Sequence, residues 1–308
     1  MRAFAIAILV IAACGDDDSV CPTAAGPFEV GSEGHAQPLG AGPAEARAGR
    51  LTDADLPVVP SGLATWRPGD FVLANAKVAL VIEDVGASDL YDPWGGRPVG
   101  LARVANGKLI EPSNFGEFFL LTGRSTVVTD SVSVIADGSD GGPAIIRARG
   151  KLHPIPFLEA LLPVLYPDGF FDIDAAIDYE LAPGAEHVDI RMRYASARAE
   201  AKALPTVMNA LMYTKRTPVF QPGKGFDDAL EREYVALVDD GATSWAYIPQ
   251  GAFGGALSAS GFVGAVSPGF TMPACGTLDR IHAQIVIGGP GTDGIVAAVA
   301  RVRGQATR

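Results

Sequence analysis

The chain has 308 residues, with 35 Asp and Glu against 24 Lys and Arg and a formal net charge of −11. That balance, without any cluster of basic residues, argues against nucleic acid and anionic surfaces as electrostatic partners. Apolar residues form 48% of the chain, which excludes a disordered polar chain and allows a large core.

The first element is an export signal. Arg2 gives a positive start, and Ala3 to Ala13 run apolar without a charge. A bilayer span needs about 20 apolar residues, so this run is too short to cross and reads as a signal peptide over residues 1–13. Its small pair Ala12-Ala13 leads directly into Cys14, and Asp16, Asp17 and Asp18 follow Gly15. Ile11-Ala12-Ala13-Cys14 resembles the lipobox of bacterial lipoproteins. The resemblance implies cleavage before Cys14, diacylglycerol on its sulfur and acylation of the new amino group, with palmitate-like chains. One acyl chain binds a membrane marginally, whereas two or more anchor stably. The three aspartates suit a position just outside the lipid. Under the family's sorting rule Gly15 after the cysteine allows outer-membrane sorting, which is the favoured expectation. The expectation is an exported protein anchored to the cell envelope, on its periplasmic or surface face.

Residues 14–50 read as a lipidated flexible tether. "GSEGHAQPLGAGPAEARAG" (31–49) is spacer-like in composition, with a helical turn around Ala44 to Ala48 as its one local signal and His35 expected in solvent. With Cys14 lipidated, Cys21 and Cys275 remain. In an oxidising compartment they can pair, pinning the tether to the body, or stay as free thiols. Without a C-x-x-C spacing or a neighbouring histidine they form no metal motif.

A single domain is expected over 51–308. "DFVLANAKVALVIE" (70–83) predicts two strands around Ala74-Asn75-Ala76, and Asn106-Gly107 predicts a type I′ hairpin turn. A hairpin is expected from 125–138 and 139–152. "FFDIDAAIDYELAPGAEHVDIRMRYAS" alternates with period two along both arms, so apolar residues share one face and charges the other, with Pro183-Gly184 at the turn. Further strands are expected near 206–213, 233–238, 243–248, 260–266, 281–288 and 294–302. Only 154–167 and 225–234 look helical. The fold class is all-β, a large antiparallel β-sandwich with one or two short helices.

The order "GDFVLANAKVALVIED", "YDPWGGRPVG", "GGPAIIRARGK" and "IDYELAPGAEHVDIRMRY" resembles the galactose-mutarotase-like β-supersandwich domains, as found before the catalytic domain of CehA/McbA-type PHP metallohydrolases. The resemblance spans roughly residues 56–305 and implies a supersandwich with a concave face. The hydrolases' His-x-His metal motif has no counterpart here, nor does the mutarotase histidine motif. No metal or cofactor is expected.

Candidate chemistry is sparse. His153 and His187 sit at hairpin ends, and His282 lies in an apolar strand as a core residue. Asp172, Asp174 and Asp178 share a strand face, ordinarily a solvated one, although paired carboxylates also serve glycoside hydrolysis. Asp137 and Asp140 lie in a Gly-rich turn that lacks calcium-loop spacing. Neither a phosphate-loop frame nor a G-x-S-x-G elbow occurs, so no catalytic residue is assigned. Tyr91, Asp92 and Trp94, with Asn114 and Glu117, place aromatic faces among hydrogen-bonding groups, as a sugar cleft requires. Together with Phe115 and Phe118 these aromatics otherwise plug the sandwich. The sequence therefore predicts a binding or scaffolding module for carbohydrate or envelope polymer. The alternatives are a mutarotase- or epimerase-like enzyme and an accessory domain of a metallohydrolase.

Overall fold

The computed structural model describes residues 21, 28–57, 66–86, 92–113, 115–122, 125–156, 160, 173–204, 207–213, 219–220, 225, 233–251, 255–259 and 262–305. Antiparallel pairing of consecutive strands builds a five-stranded sheet from β1 (Ala46–Arg50), β2 (Phe71–Asn75), β3 (Val78–Ile82), β4 (Pro98–Ala105) and β5 (Lys108–Ile110). The larger sheet takes β6 (Phe115–Thr122), β7 (Ser125–Ala136), β8 (Ala144–Pro154), β9 (Ile173–Leu181) and β10 (His187–Ser196). Beyond β11 (Lys202–Leu204) it adds β12 (Val207–Tyr213), β13 (Val219–Phe220), β14 (Val235–Leu237), β15 (Trp245–Pro249), β16 (Gly255–Ala259) and β17 (Phe262–Ser267). Past β18 (Phe270–Met272), which forms a separate two-stranded sheet with β11, the last strand of the larger sheet is β19 (Thr277–Ile287). Its spatial order is β13-β14-β15-β19-β10-β9-β8-β7-β6-β12-β17-β16.

The two sheets stack face to face. Phe71, Leu73, Leu80, Ile82 and Leu101 of the small sheet share a core with Ile146, Ile177, Tyr179, Ile190 and Ile285 of the large one. The alternation in β9 and β10 therefore does what a period of two dictates, turning every second residue inward. The small sheet is apolar on both faces. Val72, Ala74, Ala79, Val81 and Val104 form a second core with Leu39, Leu51 and Trp66, which is why β2 and β3 read as unbroken apolar runs. Gly100 is required here, since a Cβ would lie 1.8 Å from the Trp66 ring.

The expected turns form. Asn75 Oδ1 accepts from the N–H groups of Lys77 and Val78, closing β2 onto β3. Asn106 and Gly107 both take positive φ, 51° and 69°, as a type I′ turn requires. Strands form within five of the six further segments expected.

The sixth, 294–302, is a correction: it belongs to the helix α1 (Gly291–Val302). Ile295, Ala298 and Val299 bury at helical spacing against Tyr234, Ala236, Ala246, Ile248 and Val286 on the outer face of the large sheet. The β-branched run concealed that spacing, and the sheet face it covers decided the outcome. The helices expected at 154–167 and 225–234 lie almost wholly outside the described residues. Among those residues no helix is long and apolar enough to cross a membrane.

The spacer reading also changes from residue 28 onward. Ser32 bridges to Val134, Pro38–Gly40 form a 3-10 turn, and Ala46–Arg50 are strand rather than a helical turn. The small residues that suggested flexibility instead permit backbones to touch. A Cβ on Gly31 would lie 1.9 Å from the Val134 oxygen, and one on Gly49 would lie 2.2 Å from the His35 oxygen.

Candidate functional site

The candidate residues Asp92 and Glu117 do come together. The Asp92 N–H donates to Glu117 Oε1 at 2.9 Å, and both side chains converge on Arg97. Arg97 lies 3.0 Å from Glu83 Oε2, 3.1 Å from Glu117 Oε1 and 3.6 Å from Asp92 Oδ1. Thr126 donates to Asp92 Oδ2 at 2.7 Å, and the Trp94 N–H donates to Oδ1 at 3.3 Å. Arg97, Asp92 and Glu117 are buried, and Glu83 nearly so.

The local chain explains this placement. Glu83 follows β3 and Arg97 precedes β4, so both extend the small sheet, while Glu117 on β6 and Thr126 on β7 belong to the large one. Trp94-Gly95-Gly96 runs between the two. Both glycines have positive φ, and a Cβ on Gly96 would meet Thr129 and Ala148 at 2.6 and 2.7 Å. Tyr179 Oη donates to the Gly96 carbonyl and Thr129 Oγ1 to that of Gly95, both at 3.0 Å. The cluster is thus a charged joint between the sheets. Burial raises the Asp92 and Glu83 carboxyls above their ordinary pKa, against the opposing pull of Arg97. The guanidinium of Arg97 offsets part of the cost of burying these carboxyls.

Trp94 remains half-buried, its ring edge-on to His153 at 5.9 Å. Phe118 is fully buried beside Tyr247 and serves the core. Tyr91 and Asn114 lie outside the described residues, as do Cys14, Asp172 and the side chain of Phe115. Sequence reasoning missed Arg97, whose signal was a charge set between a glycine pair and an apolar strand.

The carboxylates of β9 are separated by their partners. Asp178 is buried, bound through two oxygens by Arg147 at 2.6 and 2.7 Å and met by Arg193 at 2.7 Å. Asp174 faces Lys151 at 3.6 Å near the surface. The face expected to be wet is therefore partly covered. Glu29 lies 3.6 Å from Arg147, whose guanidinium sits 5.9 Å from the Phe28 ring centre.

The histidines lie on different elements. His35 Nδ1 accepts from the Gln37 N–H, and His187 Nε2 lies 3.8 Å from Asp189. His282 is buried in β19, and burial lowers its pKa to about 4, so it is neutral at pH 7. Asp137 and Asp140 cap their own turn through the N–H groups of Ser139 and Gly142. No group of three metal-ligating side chains occurs among the described residues. Cys21 and Cys275 form a disulfide, with Cα atoms 5.4 Å apart.

No protein-family model matches the chain, and no curated protein matches it. Solved structures that align with it include a TPR-domain containing protein from Parabacteroides distasonis, at 10% identity and TM-score 0.43, covering 79% of this chain and 54% of that one. A GH36 alpha-galactosidase, AgaB, from Geobacillus stearothermophilus aligns at 9% identity and TM-score 0.43, over 79% of this chain and 43% of that one. A galactose mutarotase related enzyme from Lactobacillus acidophilus aligns at 9% identity and TM-score 0.38, over 73% and 99%. The chain thus spans about half the length of the TPR-domain protein and of AgaB, and nearly all of the mutarotase related enzyme. The class, an antiparallel β-sandwich, stands on this chain's own strand pairing.

Proposed function

We propose that this is an exported protein, lipid-anchored to the bacterial cell envelope through Cys14, whose β-sandwich body is a non-catalytic binding or scaffolding module for carbohydrate or envelope polymer. The observation that carries the export reading is the Cys21–Cys275 disulfide, because such bonds persist in oxidising compartments outside the cytoplasm. It agrees with the signal-like run and lipobox-like Ile11–Cys14 read from the sequence. The carbohydrate reading rests on Trp94, a half-buried indole beside His153, which offers a sugar an apolar face with a polar neighbour. The buried carboxyls behind it are committed to Arg97 and hold the surface in place.

The test uses the full-length protein in neutral detergent on a glycan array. Binding to one glycan class that Trp94→Ala abolishes supports the ligand reading, and binding to none removes it. Labelled fatty acid incorporated by the parent but not by Cys14→Ser supports the anchor. Equal incorporation by both sinks it.

A further inference from the structure

We propose that a cavity between the small sheet and helix α1 is a binding site for a small organic anion carrying a carboxylate or phosphate group. The inference is independent of the carbohydrate reading and uses none of the residues around Arg97.

The cavity encloses about 490 Å³ where the β2–β3 turn, β4, the end of β19 and α1 meet, which is the size of a small-molecule site. Its charged lining is Lys77, Arg103 and Arg301 against Glu186. With the Glu111 that pairs with Arg103 included, three cations stand against two carboxylates, a net local positive charge in a chain whose net charge is −11. Each cation comes from a different element, so tertiary packing alone assembles them. Each is also held in place. Lys77 Nζ donates to the Gly184 carbonyl at 2.9 Å, Arg103 Nη1 to Glu111 at 2.9 Å and Arg301 Nε to Glu186 at 2.6 Å. These contacts engage one nitrogen of each guanidinium, which carries five N–H donors, and one of the three on Lys77. These side chains keep donors for an anion, and their existing contacts lower the entropic cost of ordering them on binding.

The glycines of the lining separate packing from site. Gly288 and Gly294 are demanded by packing, since their Cβ atoms would lie 2.8 Å from Ile295 Cα and 2.5 Å from the Gly289 oxygen. Gly289 is not. A Cβ there would meet only Gly294 Cα at 3.8 Å and Arg103 Nη1 at 3.9 Å. Its missing side chain leaves room beside Arg103 Nη1, where a carboxylate or phosphate would be received by the guanidinium donors that Glu111 does not engage.

The test is calorimetric titration of the full-length protein in neutral detergent with glucuronate, inorganic phosphate and glucose. The expected result is that at least one anion binds at least tenfold more tightly than glucose and weakens with added salt. The stronger of glucuronate and phosphate identifies the head group. Gly289→Leu, which fills the space without altering charge, should abolish binding, and Lys77→Gln should weaken it at least threefold while preserving the circular dichroism spectrum. Should Gly289→Leu not fold, Lys77→Gln and Arg103→Gln decide the matter. Failure of both anions to bind by about 10 mM, near the weak limit of a specific site, would overturn the proposal. So would glucose binding equally well, or folded variants that bind like the parent.

Discussion

Cys21 and Cys275 stand 254 residues apart in sequence and are joined with their Cα atoms 5.4 Å apart, close to the Ala197 carbonyl at the end of β10. The bond fastens Cys21 to the body, and the described residues from 28 onward meet β7 and β8 through Glu29–Arg147, Gly31–Ser133 and Ser32–Val134. With Cys14 lipidated as proposed, six residues separate the anchor from the fastening point, a reach of at most about 25 Å. On that proposal, the end of the sandwich carrying Cys275 is expected to face the membrane.

Replacing both cysteines by serine should therefore have two effects. Urea unfolding should show a loss of about 2–4 kcal/mol, because a long loop is no longer closed in the unfolded chain. Neutron reflectometry on supported bilayers should place the body farther from the lipid than in the parent. An unchanged standoff would separate the disulfide from any role in orientation.

Arg97 forms ion pairs with Glu83, Asp92 and Glu117. Arg97→Met should cost about 3–5 kcal/mol at pH 7, since it strands buried carboxylates. In the parent, the raised carboxyls of Asp92 and Glu83 have a definite sign in pH. Their stabilising contribution is complete below their ordinary values of 3.8 and 4.5 and is lost as pH rises through the raised values. Asp92→Asn keeps an oxygen for Thr126 and should flatten that decline, measured as the urea midpoint against pH.

His282 works in the opposite direction. Its pKa is lowered from 6.5 to about 4 by burial, so its contribution is complete above pH 6.5 and is lost as pH falls through about 4. The loss across that window is roughly 3 kcal/mol. His282→Gln should remove this acid sensitivity, with the change confined to that window in chemical unfolding curves. A parent whose stability is flat between those values would refute the assignment.

Two aspartates of one strand face should behave very differently. Asp178→Ala leaves Arg147 and Arg193 without their shared buried carboxylate and should cost about 3–5 kcal/mol. Asp174→Ala loses a near-surface contact with Lys151 and should cost under about 1 kcal/mol. Equal costs in thermal unfolding would show that the face is uniformly wet.

Period-two alternation, the Asn106-Gly107 turn and the Pro183-Gly184 turn were local signals, and local backbone geometry suffices to read them. They gave the all-β class and most strand positions without any tertiary knowledge. Asp92, Trp94 and Glu117 were found as a group because short-range chemistry marks them. Their use was not legible, since burial depends on Arg97 arriving from the start of β4. Likewise, nothing local distinguishes Gly31 and Gly49 in a spacer from the same glycines pressed against a neighbouring backbone. Nor does a β-branched run at 294–302 declare itself a helix until a sheet face exists for it to cover. Composition and periodicity thus determined the sheets and the acidic character. The pairing of Cys21 with Cys275, the Arg97 joint and the cation-lined cavity arise from residues remote in sequence, and only packing of the two sheets and the helix brings such residues within reach.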